Sequence, residues 1–260
     1  MEKVTKIPTF NLENNIEIVG FGIFIRDISA LVVADFHIGY EEALESQGVH
    51  IPAVQYPLVL RIVNLMLDRS DAEKLIILGD VKHEFGEALR QEWKETIDLF
   101  TEIKKKKIDI HVIRGNHDNF LIPILKRLEI PFHDPYLKIR NYLFVHGHKP
   151  LPLDTYSLYI THIFMGHEHP AVVLRDELGI KIKFKCLLEG DIDGRKLFVL
   201  PSISPLMPGT EINVKEDRTF LSPILNEVNI DRFKVYVIDL TAGIYDFGPL
   251  GALRHALWSV

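Results

Sequence analysis

Leu75-Ile76-Ile77-Leu78-Gly79-Asp80-Val81-Lys82-His83 is an apolar run that ends at once in a glycine, a carboxylate and, three residues on, a histidine. An unbroken run of this kind suits a strand buried on both faces. The polar residues then fall at its carboxyl end, where open α/β sheets gather their sites. The same grammar recurs in LVVADFH (31–37), IHVIRGNHD (110–118), YLFVHGH (142–148) and HIFMGHEH (162–169). One histidine after a strand says little, but five such stations imply a common site. Oxygen and imidazole donors with no cysteine among them suit two first-row divalent metals.

Outward from these stations, Ala53 to Arg69 places Val54, Leu58, Ile62, Leu65 and Met66 at helical spacing. Leu89 to Lys106 reads as an amphipathic helix with Trp93, Ile97, Phe100 and Ile103 on one side, and Phe120 to Leu128 as a short helix interrupted near Pro123. Ile16 to Arg26 reads as an opening strand bent at Gly20 and Gly22. Strand, polar turn and helix in repetition are a βαβ signature. After Ile130 short strands follow one another, and residues 200–232, punctuated by Pro201, Pro205, Pro208 and Pro223, read as a long ordered loop. The expectation is one α/β (α+β) domain over residues 1–260. Its motifs lie between 35 and 169, and its β-rich and loop portion covers about 170–260.

A net charge of −6 argues against a broad basic surface that wraps duplex DNA, though a local groove beside bound metals remains compatible with it. The block Lys104 to Lys107 closes a helical pattern, where cations complement the macrodipole. Cys186 is the single cysteine, so no intrachain disulfide forms. With neither a leader-like start nor an apolar run of membrane-spanning length, the expected compartment is the cytoplasm, with no membrane partner. The apolar stretch Leu250 to Val260 is expected to pack as a helix or to serve a homo-oligomer contact.

The five stations, in this order, resemble the calcineurin-like metallophosphoesterase superfamily, whose pattern is D-x-H, G-D, G-N-H-D/E, H and G-H-x-H. DFHIGYEEAL and LGDVKHEFG are similar to the small ICC-like phosphoesterases, some of whose bacterial relatives are encoded beside a DNA ligase and a helicase. The resemblance implies a four-layer α/β/β/α sandwich and, by analogy only, DNA-repair partners. It implies that Asp35, His37 and His169 hold a first metal, that Asn116, His146 and His167 hold a second, and that Asp80 bridges them. Mn2+ is the ion expected, with Ni2+, Fe2+, Zn2+ and Mg2+ as alternatives. Two divalent ions against two carboxylates leave a positive centre for an anionic phosphoester, which a hydroxide held by the ions would attack.

His117 adjoins a ligand without being one in the family pattern, and is expected to protonate the leaving alcohol or to stabilise the transition state. Asp118 is expected to orient its ring, and Arg114 either to clamp a phosphate oxygen or to form a surface salt bridge. His148 is left outside the metal set, and His50, His111, His133, His162 and His255 match no motif. Gly-Asp-x-x-His, ending at His83, is similar to the nuclease branch of the superfamily and places His83 across the phosphate from His117. The favoured function is phosphodiester hydrolysis, with DNA, RNA or nucleotides as substrate. A phosphomonoesterase or pyrophosphatase on a small metabolite and a non-catalytic scaffold are the alternatives.

Overall fold

The apolar runs are short strands, and the polar residues after them leave the sheets at one end. The computed structural model describes residues 5–52, 54–83, 90–175, 177–214 and 219–258. One sheet runs in chain order through β1 (Thr9–Glu13), β2 (Ile16–Val19), β3 (Gly22–Ile25), β4 (Ala30–Val33), β5 (Lys74–Ile77), β6 (Asp109–Ile113) and β7 (Phe132–His133). β1 to β4 pair antiparallel, and β4 to β7 parallel. Helices α1 (Tyr40–Ser46) and α2 (Gln55–Ser70) join β4 to β5, α3 (Arg90–Lys104) joins β5 to β6, and α4 (Ile122–Arg127) leads to β7.

β4 shows why such strands lack alternation. Leu31 and Val33 pack against Val59, Val63 and Met66 of α2, in a core that also holds Leu99 and Phe100 of α3. Ala30 and Val32 belong to a second core between the two sheets. Both faces are buried, so both are apolar.

The second sheet comprises β8 (Tyr136–Ile139), β9 (Tyr142–Val145), β10 (His162–Met165), β11 (Pro170–Arg175), β12 (Lys181–Ile192), β13 (Arg195–Val199), β14 (Thr210–Glu211), β15 (Lys234–Asp239) and β16 (Gly243–Pro249). Its order is β14-β11-β12-β13-β10-β9-β8, with β15 on the other edge of β12 and β16 beyond it. β9, β10 and β13 are parallel, in a register that aligns Phe144, Phe164 and Phe198. Those rings stack with centroids 5.3 and 5.2 Å apart and fill the space between the sheets. The outer face of this sheet is covered by Leu151, Ile160, Ile224 and Ile230 from loops, and by Leu250 and Leu253 of α5 (Leu250–Trp258). The result is a mixed α/β fold with two central sheets flanked by helices, whose fourth layer is mostly loop.

Several expectations are corrected. Ile16 to Arg26 is two strands, because the chain reverses fully at Gly20 (φ 55°) and Val19 pairs with Gly22. In α2 the buried stripe is Val59, Ile62, Val63, Met66 and Leu67, turned by about one residue from the expected one, and Val54 is exposed. Pro123 starts α4 instead of interrupting it, since the first helical turn needs no proline N–H. Ala53, Leu89 and Val260 lie outside the described residues. The basic block does end a helix, with Lys105 paired to Glu102 and Lys106 to Asp68. α5 packs through buried Arg254, which donates to Ile212 O and to Asp231. No helix among the described residues is long and apolar enough to cross a membrane.

Candidate metal centre

Asp35, Asp80 and Asn116 follow β4, β5 and β6, His146 and His167 follow β9 and β10, and His169 stands just before β11. Both sheets thus deliver donors to one place. The turns after β4 and β5 run side by side: the His37 N–H donates to Asp80 O and the His83 N–H to Ile38 O, each at 2.9 Å. The donor atoms of Asp35, His37 and His169 lie within 4.8 Å of one another, as do those of Asp80, His146 and His167. In the first cluster His169 Nε2 is 3.4 Å from His37 Nε2 and 3.3 Å from Asp35 Oδ2. In the second, His146 Nε2 is 3.3 Å from Asp80 Oδ2 and 3.0 Å from Asn116 Oδ1. Asp80 Oδ2 also lies 3.9 Å from His37 Nε2, so one oxygen faces both clusters.

The backbone is bent to achieve this. Asp35, His37, Asp80, His167 and His169 all have φ between 48° and 67°, a left-handed region that costs each non-glycine residue on the order of 1–3 kcal/mol. Glycines make room for the carboxylates. A Cβ on Gly115 would lie 2.1 Å from Asp80 Oδ1, and one on Gly166 2.7 Å from Asp35 Oδ2.

The donor set fits divalent cations. Asp35 Oδ1 and His37 Nδ1 are buried without a hydrogen-bond partner, and an unpaired buried carboxylate oxygen needs positive charge beside it. Burial, reinforced by the neighbouring imidazoles, pushes His37 well below the ordinary histidine range and His167 down to about 4, which leaves their lone pairs free. Burial opposes the charge of His146 too, but Asp80 and Asp35 outweigh it and hold His146 up to about 9. Burial likewise opposes ionisation of Asp80, yet His146, His37 and His117 hold its carboxyl far below the usual range. Carboxylate oxygens among imidazole nitrogens are the ligands that hard-to-borderline divalent ions take.

His117 Nδ1–H donates to His83 O, which turns Nε2 to within 3.8 Å of Asp80 Oδ2. Burial lowers its pKa against the pull of Asp80. His83 is not across the site from it: the two rings are stacked, 5.5 Å apart at 27°, and both join His37 in a third donor cluster. The ring of Tyr40 packs on His83 at 4.2 Å. The role expected of Asp118 is also corrected. Its fully buried carboxylate accepts the N–H groups of Asp80 (2.8 Å), Val81 (2.9 Å) and Gly115 (2.9 Å), so it holds the turns under Asp80 and leaves the His117 ring to the His83 carbonyl. Arg114 takes the salt-bridge alternative, donating to Asp134 at 2.7 Å and to Asn119 at 2.6 Å. His148 stands beside His146 and His167, with ring centroids 5.1 and 6.1 Å away. His111 and His133 meet each other at 3.1 Å, and His162 meets Glu13 at 3.3 Å, all engaged in other contacts.

Sequence reasoning missed the supports. Gln55 Nε2 donates to His37 O at 2.8 Å and to Ser204 Oγ at 2.7 Å, and Ser202 Oγ donates to Asp35 O at 2.6 Å. Lys185 of β12 fastens this strap from the second sheet by donating to Ser202 O and Ser204 O. Glu168, between the two motif histidines, accepts the Ser222 N–H at 3.0 Å, and Ser222 Oγ donates to Gly147 O at 2.7 Å. The proline punctuation after Leu200 signalled an ordered segment, but nothing in it specified where the segment docks.

Residues 28–157 match the calcineurin-like phosphoesterase family. The chain belongs to that family. The matched segment ends before His167 and His169, which reach the centre through β10 and the turn after it. Among solved structures, the chain is similar to the Pseudomonas putida nuclease MPE, with a TM-score of 0.62 at 20% identity over 89% of this chain and 96% of that one. The Escherichia coli phosphoesterase Yfce gives 0.39 at 19% over 81% and 87%. Entamoeba histolytica Vps29, as a single mutant, gives 0.38 at 17% over 84% and 99%. At 20% identity the likeness to the nuclease is one of fold. No curated protein matches this calcineurin-like phosphoesterase in sequence.

Proposed function

We propose that the chain is a metal-dependent phosphodiesterase acting on nucleic acid or nucleotides. The observation that carries this is Asp80 Oδ2, which faces the Asp35–His37–His169 cluster on one side and His146 on the other. Asp35, His37 and His169 would hold one divalent ion, Asn116, His146 and His167 a second, and Asp80 both. Two divalent ions in such a site supply Lewis-acid stabilisation of a phosphoryl group and an activated water. In this reading the ions are Mn2+, the chain is a single domain acting in the cytoplasm, and it groups with the small ICC-like phosphoesterases.

The chain's own residues then divide the work. His117, fixed at Nδ1 by the His83 carbonyl, presents Nε2 to the cluster and delivers a proton from that atom to the leaving oxygen. His83 stacks behind it and sets the rim of the site. A monoester dianion rewards extra cationic clamps, and Arg114 is engaged by Asp134 and Asn119 instead. A diester monoanion needs fewer clamps and more room. The solved nuclease of similar fold supports nucleic acid as the substrate class.

The test is a rate comparison with Mn2+ present. Bis-p-nitrophenyl phosphate should be cleaved faster than p-nitrophenyl phosphate. A tenfold preference for the monoester, about 1.4 kcal/mol in barrier, refutes the diesterase reading and leaves a small-metabolite phosphatase.

A further inference from the structure

A cavity of about 500 Å3 adjoins the metal centre, shares His146 with it and is lined also by His148. Its walls are aliphatic where they lie away from the donors, with Leu151, Pro152 and Ile224 among them. The walls are tied down. The Thr155 N–H and Oγ1 both bond to Pro152 O, at 3.0 and 2.6 Å. Ser222, two residues before Ile224, is locked to Gly147 O and to Glu168. A preformed cavity loses little ordering entropy when a ligand enters.

The polar residues of the cavity lining are Asp134, paired with Arg114, and His146, Lys149 and His148. The His148 ring is half-buried against His146 and His167, and neither ring nitrogen has a hydrogen-bond partner among the described residues. Nδ1 is in addition shielded from solvent. Leaving a buried polar atom unpaired costs about 1–3 kcal/mol, and unlike Asp35 Oδ1 and His37 Nδ1 this atom belongs to no group of metal donors. The exposed Lys149 follows directly at the rim. Apolar walls, one imidazole free to donate or accept, and a cation at the mouth match a base and sugar flanked by phosphate.

We infer that this cavity is the subsite for the nucleoside part of a phosphodiester, and that His148 hydrogen-bonds it while its phosphate lies at the metal centre. The inference rests on the phosphodiesterase reading and assigns the nucleoside part of its substrate to this cavity. Small aliphatic diesters would reach the metal centre without filling the cavity.

The experiment is equilibrium binding by calorimetry to the full chain loaded with Mn2+. The probes are inorganic phosphate, adenosine 5′-monophosphate and adenosine 3′-monophosphate. At least one nucleotide should bind tenfold or more tightly than phosphate. In His148→Ala, and separately in Leu151→Trp, which fills the cavity, that ratio should fall to threefold or less with metal content retained. Equal binding of phosphate and both nucleotides to the wild type overturns the subsite, as does a ratio that neither variant changes. If the wild type cleaves bis-p-nitrophenyl phosphate but shows no nucleoside preference, the subsite alone is wrong. If it neither binds phosphate nor cleaves that diester, the phosphodiesterase reading fails and the subsite falls with it.

Discussion

Asp118 Oδ2 accepts the main-chain N–H of Asp80 at 2.8 Å, so one buried carboxylate positions the backbone of another. Burial and the Asp80 charge push the Asp118 carboxyl up to about 7, against the pull of its N–H donors. Asp118→Asn replaces one acceptor oxygen with an amide donor that faces main-chain N–H groups. It should cost about 1–3 kcal/mol of stability and weaken metal retention, since the turn beneath Asp80 loosens. Denaturant unfolding together with metal analysis checks both. Unaltered stability and metal content would show that the contacts with Asp80, Val81 and Gly115 are dispensable.

Gly115 is the other half of that arrangement. Gly115→Ala drives a methyl into Asp80, whose Oδ1 and N would lie 2.1 and 2.3 Å from the new Cβ. The backbone or the carboxylate must move, at about 1–3 kcal/mol. The prediction is a folded protein with reduced content of both metals, read by circular dichroism and elemental analysis. Wild-type metal content in a folded variant would contradict the close approach.

His117→Asn should keep both metals and lower kcat by about 10²–10⁴ on a diester with a poor leaving group. The loss should shrink for a nitrophenolate, which leaves without a proton. Steady-state kinetics on the two substrates decide. Equal losses on both would assign His117 to transition-state stabilisation instead of proton delivery.

Far from the metals, Glu13 of β1 joins Lys196 of β13 and His162 of β10, and so crosses from one sheet to the other. Burial would raise the Glu13 carboxyl, but Lys196 and His162 outweigh it and hold it below the usual range. A carboxyl depressed in the folded state adds stability that is complete above its unfolded pKa, about 4.3, and is lost as pH falls through the folded value. The pair is largely solvent-screened, so Glu13→Gln should cost only about 0.2–1 kcal/mol at pH 7, and that cost should shrink as pH falls below the unfolded pKa. Urea unfolding at pH 7 and pH 3.5 measures it. The same cost at both pH values would contradict the linkage.

The parts of the fold that were legible in the sequence are those buried on both faces. β9 and β10 coincide with the apolar runs YLFV and HIFM, because strands in the middle of a sheet are buried along nearly their whole length. β1, β8 and β16 were not seen, since their mixed half-buried residues carry no clear period. The donors were legible because polar residues after apolar runs are conspicuous. Their supports were not: Gln55 opens an ordinary helix, and Lys185 lies in a strand of alternating lysines whose partners come from a distant loop. His83 and His117 were placed opposite each other because linear spacing does not give the direction of a turn. The bond from the His117 Nδ1–H to the His83 carbonyl and the stacking of the two rings place them on one side.

The central claim is that Asp80 joins two metal positions through one carboxylate. Its most direct test is the metal content of purified protein after equilibration with Mn2+, compared among wild type, Asp80→Asn and His37→Ala. The account predicts two ions per wild-type chain, a parallel loss of both in Asp80→Asn, and a loss chiefly of one in His37→Ala. Two ions bound at wild-type affinity in Asp80→Asn would contradict it.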